Sequence, residues 1–562
     1  MYSDKENVNI LTALLVAHGV TDAVVCPGSR NAPIAHNLNE CPGVRCHPVT
    51  DERSAGFVAL GIALATRRPV VVCVTSGSAL LNLAPAVAEA AYRHVPLVVV
   101  SADRPQAWID QLDGQTLPQG DALGRFVRCA VSLPEPHDAV GRWHCNRLVN
   151  EALCRAAWRR PAPVHINVPI TEPLFGFTVD RLPVERVFRL MTQEGARGCP
   201  GALAEAFGRA GRPMVVLGQI DGQTIGGDIL ERLCRRAVVL FEPLACGGGA
   251  VRFDEALYAL GDDAAFRPDL VVYAGDTVVS KRLRQFLRRS AAPTFMLTPC
   301  ADSLPDPTQW LAGVVEYGGA EGLRSILAAL AETGAAGGAA EGFVARWRAA
   351  LAAADANAAS FDPPFSQMAV VKYFEEQLGD MEDDVCIHYA NSSAVRLANI
   401  YAGHYVWCNR GLNGIEGSLS TAAGHSMATR SRVFCVIGDL SFFYDQNALW
   451  NTSLCGNLRI LLLNNRCGGI FSRLGGLERS AARDPLVAAA HNADARGICA
   501  QNDIGYLRAD DADSMRLGVL ALLTRESARP MLLEVFTDAA ADADALRGYY
   551  RRLRGATQES NR

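Results

Sequence analysis

No stretch of the sequence stays apolar for the roughly 18 residues that a membrane span requires. Charge of one sign is also lacking. A formal net charge of −5 over 562 residues gives no electrostatic reason to expect nucleic acid or an anionic membrane as partner. The 17 cysteines include no CxxC pair and no metal-knuckle spacing. Several, such as Cys73 and Cys435, fall inside strand-like runs, which predicts buried thiols of a cytoplasmic protein and not a disulfide framework. The opening "MYSDKENVNILTALLVAHG" carries acidic residues and reads as an amphipathic helix, so a signal peptide is not expected. Between residues 190 and 340 there is no G-x-G-x-x-G followed by an acidic residue; "CGGGAVRFDE" is glycine-rich in the wrong order. A Rossmann-like middle region without a cofactor is the expectation there.

Apolar residues make up 49% and charged residues 20%, the balance of a well-packed globular chain long enough for about three or four domains. Short apolar runs recur, each ending in Gly, Pro, Ser or Asp and leading into a helical pattern. They include "DAVVCPGSR", "RPVVVCVTSGS", "VPLVVVSADRP" and "APVHINVP", then "RPMVVLGQ", "RAVVLFEP", "PDLVVYAGD" and "APTFMLTP". The last third adds "DDVCIHYANSS", "SRVFCVIGD", "NLRILLLNN" and "RPMLLEVF". Runs apolar throughout suit strands buried on both faces, and their alternation with helices predicts parallel sheets. The fold class expected is α/β, three consecutive units with mainly parallel sheets, spanning 1–185, 186–355 and 356–562. The Ala/Gly-rich "ETGAAGGAAEG" and "DPPFS" mark an expected connection between the second and third.

Ligands of such sheets bind beyond the carboxyl ends of the strands, so the residues after each run matter most. Asp439 and Asn465 each follow a strand, 26 positions apart, with one helix between them. A βαβ unit puts both on one sheet edge. A hard divalent ion such as Mg²⁺ (or Mn²⁺) takes carboxylate, amide and backbone oxygens and usually shares a phosphate. Asp439, Asn465 and a carbonyl of the "RCGG" turn would supply three oxygens, and the helix after Asp439 would aim N–H groups at the same anion. Cations also follow strand or turn signals at Arg30, Arg104, Lys281, Arg282, Arg396 and Arg410, a placement suited to carboxylate substrates.

The spacing GD, about 25 residues, NN resembles the thiamine diphosphate motif, with Leu440 where Gly is usual. "VTSGSALLN" (Thr75, Ser76, Gly77, Asn82) is similar to the strand-to-helix turn of that superfamily's pyrimidine-binding domain, and "HPVTDERSAGF" to the segment carrying its glutamate, which falls on Glu52. "PGSRNAPI", "SADRP", "NRGLNGIEGSLSTAAG", "GDLSFFYDQNAL" and "NNRCGGIFSRL" resemble, more narrowly, the 2-succinyl-5-enolpyruvyl-6-hydroxy-3-cyclohexene-1-carboxylate synthases of menaquinone biosynthesis. The resemblance runs from about residue 10 to "RPMLLEVF" and is thin in the middle.

That resemblance implies a thiamine diphosphate-binding fold with pyrimidine, central and diphosphate domains. It implies 2-oxoglutarate and isochorismate as substrates, joined by decarboxylation and conjugate addition. Glu52 would hydrogen-bond the aminopyrimidine and so activate the cofactor. Ser29, Arg30, Arg104, Gln115, Lys281, Arg282, Ser392, Arg396 and Arg410 would face substrate, joined by Phe471 and Leu474. Pro27, Gly28, Thr75, Ser76, Gly77, Asn82, Gly438, Leu440, Ser441 and Ile470 would border the cofactor, and Ile415 would be the apolar wedge that bends it. Asp439, Asn465 and the Cys467 carbonyl would hold the metal, although Gly is usual at 467. Asn31 and Gly114 also depart from the pattern, where Ser and Asn are found. In this superfamily the two ends of a cofactor belong to two chains, which implies a homodimer or a dimer of dimers. His137, His404 and His491 receive no role. Two other classes stay open: another 2-oxo acid carboligase or decarboxylase, similar to acetolactate synthase, and a thiamine diphosphate-binding regulatory protein without catalysis.

Overall fold

The computed structural model describes residues 1–191, 198–222, 224–245, 251–333, 337–379, 381, 384–473 and 476–560. Three parallel sheets follow one another along the chain. The first holds β1 (Asp22–Val25), β2 (Arg45–Pro48), β3 (Val70–Val74), β4 (Leu97–Asp103), β5 (Ala130–Ser132) and β6 (Val164–Pro169), in the order β2-β1-β3-β4-β6-β5. The second holds β7 (Pro213–Leu217), β8 (Val238–Phe241), β9 (Leu270–Ala274), β10 (Thr294–Thr298) and β11 (Leu311–Glu316), ordered β11-β10-β9-β7-β8. The third holds β12 (Val385–Tyr389), β13 (Arg432–Gly438), β14 (Leu458–Asn464), β15 (Gly505–Ala509) and β16 (Met531–Phe536), ordered β12-β13-β14-β16-β15.

The apolar runs are strands because each is covered on both faces. Every residue of β3 is buried, its odd and even positions entering two different cores. The same holds for β14. Parallel pairing in register then aligns the strand ends, as Gly438 beside Leu463 and Val74 beside Ser101.

Chain direction across the first sheet reverses beside β1, so the loops after β1 and β3 flank a switch point, where open α/β sheets bind ligands. The two loops abut: a Cβ on Gly28 would lie 2.4 Å from Thr75 Cβ. The first and third sheets are joined by two crossed helices, Glu52–Thr66 and Ser418–Ala428. They touch backbone to backbone, since a Cβ on Gly61 would sit 2.0 Å from the Thr421 carbonyl oxygen and one on Gly424 would sit 2.1 Å from that of Val58.

The connection expected from "ETGAAGGAAEG" and "DPPFS" differs in form. Residues 334–336 lie outside the described residues, but Gly337–Ser360 is a helix of 24 residues. Phe343, Val344 and Trp347 pack in a core of the second sheet, while Ala354 and Ala358 pack in a core of the third. Alanine-rich composition reads as a spacer, yet alanine is the best helix former, and three large side chains suffice to anchor the helix. No described helix is long and apolar enough to cross a membrane.

Candidate active site

At the edge of the third sheet, β13 ends at Gly438 and β14 at Asn464, side by side, so Asp439 and Asn465 leave the sheet together. Asp439 is buried. Its Oδ1 accepts from Leu440 N at 2.7 Å, and its Oδ2 is buried without a hydrogen-bond partner. Burial raises the carboxyl above its ordinary range, while the Leu440 N–H, His491 and the N–H groups of Arg466 and Cys467 pull the other way. A buried carboxylate oxygen without a hydrogen bond is costly, and a cation would complete it.

Asn465 Nδ2 donates to Asp542 Oδ2 at 2.8 Å, which commits the amide nitrogen and turns Oδ1 toward the Cys467 turn. Thus one carboxylate oxygen without a hydrogen bond, with His491 Nε2 3.4 Å away, and one oriented amide oxygen stand at a single strand edge, which suits a hard divalent ion. Among the described residues no cluster of three His, Cys, Asp or Glu exists to compete as a metal site. Burial pushes the Cys467 thiol up to about 11. The helix after Asp439 runs only from Asp439 to Tyr444, too short for its dipole to count for much. Ser441, within this helix, is buried.

The loops at the first sheet carry the second group. Glu52 opens the helix Glu52–Thr66, with Asp51 as N-cap, and its Oε2 accepts from Asn82 Nδ2 at 3.2 Å. Pro27, Gly28 and Ser29 are exposed, and Asn31 closes the loop behind them by donating to the Cys26 carbonyl at 2.8 Å. Gly77 has φ +82, a conformation glycine adopts freely. It also makes room for Gln115, whose Cγ would be 3.0 Å from a Cβ there and whose Nε2 donates to the Ser76 carbonyl at 3.1 Å. A Cβ at Gly114 would meet nothing within 4 Å, so close packing does not require glycine there.

Arg30 is buried, donating to the Ile170 carbonyl at 3.0 Å and to Glu172 Oε1 at 2.9 Å. Arg104 approaches the same Glu172 oxygen at 3.9 Å and Asp113 at 3.6 Å. A carboxylate of the protein itself thereby stands between two of the arginines expected to face a carboxylate substrate.

The remaining cations divide. A cavity of about 250 Å³ is lined by Lys281, Arg282, Arg396, Asn465 and Ile470, so the structure brings these five together. Within it Arg282 pairs with Asp254 and lies over the rings of Tyr258 and Tyr550, each 4.9 Å away. Ser392, at the N-terminus of the helix Ser393–Tyr401, has φ +74, a strained backbone costing ~1–3 kcal/mol for a residue with a Cβ. Arg410 lies apart from that cavity's lining and donates through Nη1 to Asn391 Oδ1 at 3.0 Å. Ile415 is half-exposed on the loop that follows. Phe471 is partly buried in the turn Gly469–Arg473, and Leu474 lies outside the described residues.

Several polar residues here gave no sequence signal. Gln119 accepts from Gly77 N at 2.7 Å and donates to Asn167 Oδ1 at 2.8 Å, holding the Gly77 turn. Asp542 holds Asn465. His491 places Nε2 at 3.4 Å from Asp439 Oδ2, whereas His404 pairs with Glu375 at 2.8 Å and His137 is exposed. The residues on either side of Glu52 meet the segment after Asp439: Arg53 donates to the Tyr444 carbonyl at 3.1 Å, and Asn447 Nδ2 donates to Asp51 Oδ2 at 2.7 Å.

Residues 6–123 match the family model of the thiamine pyrophosphate enzyme N-terminal TPP binding domain. With its three parallel sheets, the chain is therefore a thiamine diphosphate-dependent enzyme. It is 39% identical to the 2-succinyl-5-enolpyruvyl-6-hydroxy-3-cyclohexene-1-carboxylate synthase of Bacteroides thetaiotaomicron, over 99% of this chain and 100% of the relative. It is 40% identical to that of Bacteroides fragilis over the same shares, and 34% identical to that of Desulfotalea psychrophila over 95% of this chain and 98% of the relative. The chain belongs to the 2-succinyl-5-enolpyruvyl-6-hydroxy-3-cyclohexene-1-carboxylate synthase family.

Proposed function

We propose that the chain decarboxylates 2-oxoglutarate and adds the remaining four-carbon unit to isochorismate in conjugate fashion, giving 2-succinyl-5-enolpyruvyl-6-hydroxy-3-cyclohexene-1-carboxylate and CO₂ for menaquinone biosynthesis. The observation that carries this reading is the match to synthases of that name along essentially the whole of both chains. Thiamine diphosphate, when bound, supplies the carbon nucleophile and the electron sink that decarboxylation needs.

The chain's own residues bind, orient and hold protons. Asp439, Asn465 and the Cys467 carbonyl would hold Mg²⁺ or Mn²⁺, an assignment supported by the buried Asp439 Oδ2, which makes no hydrogen bond and has only the more distant His491 ring at 3.4 Å. Gly438, Leu440, Ser441 and Ile470 would border the diphosphate. Glu52, whose Oε2 accepts from Asn82, would hydrogen-bond the aminopyrimidine and exchange its proton. Pro27, Gly28, Thr75, Ser76 and Gly77 would shape that end, and half-exposed Ile415 would press on the cofactor's middle.

Both substrates carry more than one carboxylate. Arg30 and Arg104 already converge on one carboxylate, that of Glu172, which supports their use for another. Lys281, Arg282, Arg396 and Arg410 would take the remaining charge, and Ser29, Gln115, Ser392 and Phe471 would complete the substrate-facing set. Because Glu52 and Asp439 serve opposite ends of one cofactor, the active form would be a homodimer or a dimer of dimers. Exposed Leu81, Trp108, Leu112 and Leu412 beside these loops support a covering second copy. The test is purified chain with 2-oxoglutarate, isochorismate, thiamine diphosphate and Mg²⁺, each omitted in turn. The succinylated product, identified by mass only in the complete mixture, is expected. Turnover of pyruvate in place of 2-oxoglutarate would contradict the substrate assignment.

A further inference from the structure

The segment 408–417 carries Arg410 and Ile415 and is gripped by all three sheet units. Asn391, after β12, donates to the carbonyls of Asn409 at 2.6 Å and Gly414 at 2.8 Å. Gln219, after β7, donates to the Cys408 carbonyl at 3.0 Å, and Arg93 donates to the same oxygen. One helical turn before Arg93, on the helix Ala84–Arg93, stands Glu89, 3% exposed. Its Oε1 accepts from Gly411 N at 2.8 Å and its Oε2 from Leu412 N at 2.6 Å. A Cβ on Gly411 would lie 2.9 Å from both the Glu89 carbonyl oxygen and Oε2, so glycine permits this approach.

The chemistry of the pair of bonds is specific. Two successive backbone N–H groups need two acceptors side by side, which a carboxylate offers. A carboxamide offers one acceptor and turns its own N–H₂ against the other donor. The bonds fall immediately after Arg410, whose Nε is buried without a hydrogen-bond partner while Nη1 is spent on Asn391. Arg410 thus retains donor capacity in a fixed place.

We propose that Glu89 is a positioning residue for substrate binding: its carboxylate fixes the Gly411–Leu412 backbone and so sets where the Arg410 guanidinium stands for a substrate carboxylate. This rests on the reading of Arg410 as a substrate ligand. A residue that merely glued two sheet units together would alter stability when changed and leave substrate affinity alone.

The experiment is a double-mutant cycle on the full chain with thiamine diphosphate and Mg²⁺, using Glu89→Gln, Arg410→Ala and both. KM and kcat are read for 2-oxoglutarate and for isochorismate, with Tm measured alongside. Arg410→Ala is expected to raise KM for one of the two substrates. Glu89→Gln is expected to raise that same KM about ten-fold, the scale of a lost hydrogen bond to a charged group, with kcat nearly unchanged. The double variant is expected to be no worse than Arg410→Ala alone. Additive effects, or a fall in Tm with both KM values unchanged, would overturn the proposal. An Arg410→Ala enzyme with unaltered KM values would overturn the reading beneath it and the proposal together. Should Glu89→Gln fail to fold, Glu89→Asp carries the cycle, since it keeps the charge but is one methylene too short to reach both N–H groups.

Discussion

Asp542 accepts a hydrogen bond from Asn465 Nδ2 at 2.8 Å, and it does so as a carboxylate already anchored at both oxygens. Gln367 N donates to Oδ1 at 2.8 Å and Thr537 Oγ1 to Oδ2 at 3.0 Å. Because a carboxylate only accepts, the Asn465 amide has one orientation open to it, with Oδ1 away from Asp542. Asp542→Asn removes that constraint and lets the amide flip. Mn²⁺ affinity, measured by electron paramagnetic resonance with thiamine diphosphate present, is expected to weaken about 10- to 100-fold, as for other partners that orient metal ligands. Unaltered Mn²⁺ binding would show that Asn465 is not held for a metal.

Glu172 stands where a substrate carboxylate is proposed to sit, between Arg30 and Arg104, and its side chain is 65% exposed. An exposed ion pair is worth ~0.2–1 kcal/mol, so removing it relieves competition by roughly 1.4- to 5-fold. Glu172→Gln is therefore expected to lower KM for one substrate by that modest factor at unchanged kcat. A rise in KM would mean that Glu172 orients the two arginines and does not compete for them.

His165, on β6, is fully buried, its Nε2 2.7 Å from Ser101 Oγ on the neighbouring β4. Ser101 donates onward to Asn167 Oδ1 at 2.8 Å, so it accepts from His165, which therefore carries its proton on Nε2. Burial depresses the imidazole from 6.5 to about 4, with the backbone near Gly120 and the charge of Asp121 opposing. Between these values the unfolded chain binds the extra proton and the folded chain does not. Stability is therefore full above about pH 6.5 and falls toward pH 4, by up to about 3 kcal/mol from this group. Denaturant unfolding from pH 4.5 to 7.5 is expected to show a shallower acid loss for His165→Gln than for the parent. Equal slopes would refute it.

Gly424→Ala forces a methyl group against the Val58 carbonyl, 2.1 Å from the ideal Cβ position, in the contact that joins the first and third sheets. Overpacking of this kind costs ~1–3 kcal/mol or more, and here the obstacle is backbone, which yields least. A Tm several degrees lower is expected, read by calorimetry; an unchanged Tm would mean that the two helices slide apart freely.

The sheets were legible because strands covered on both faces, such as Val70–Val74 and Leu458–Asn464, cannot afford alternation, and because their ends carry the chemistry-bearing residues. Asp439 and Asn465 could be paired from spacing alone, since one crossover returns the chain to the neighbouring strand. The helix Gly337–Ser360 was hidden by its alanine and glycine content. Glu89, Gln119 and Asp542 were hidden for a different reason. Each is a polar residue, wholly or partly buried, with a partner far away in sequence (Leu412 323, Gly77 42 and Asn465 77 positions off), and in sequence a buried carboxylate on a helix looks like a solvated one.

The central claim is that one chain couples loss of CO₂ from 2-oxoglutarate to carbon–carbon bond formation with isochorismate. The most direct measurement follows ¹³CO₂ from 2-oxo[1-¹³C]glutarate together with isochorismate consumption, in the parent and in Glu52→Gln. The account predicts equal molar amounts of CO₂ released and isochorismate consumed, with both rates falling about 10²- to 10⁴-fold in Glu52→Gln, as for loss of a proton-transfer group. Release of CO₂ with no isochorismate consumed, or unchanged rates in Glu52→Gln, would contradict it.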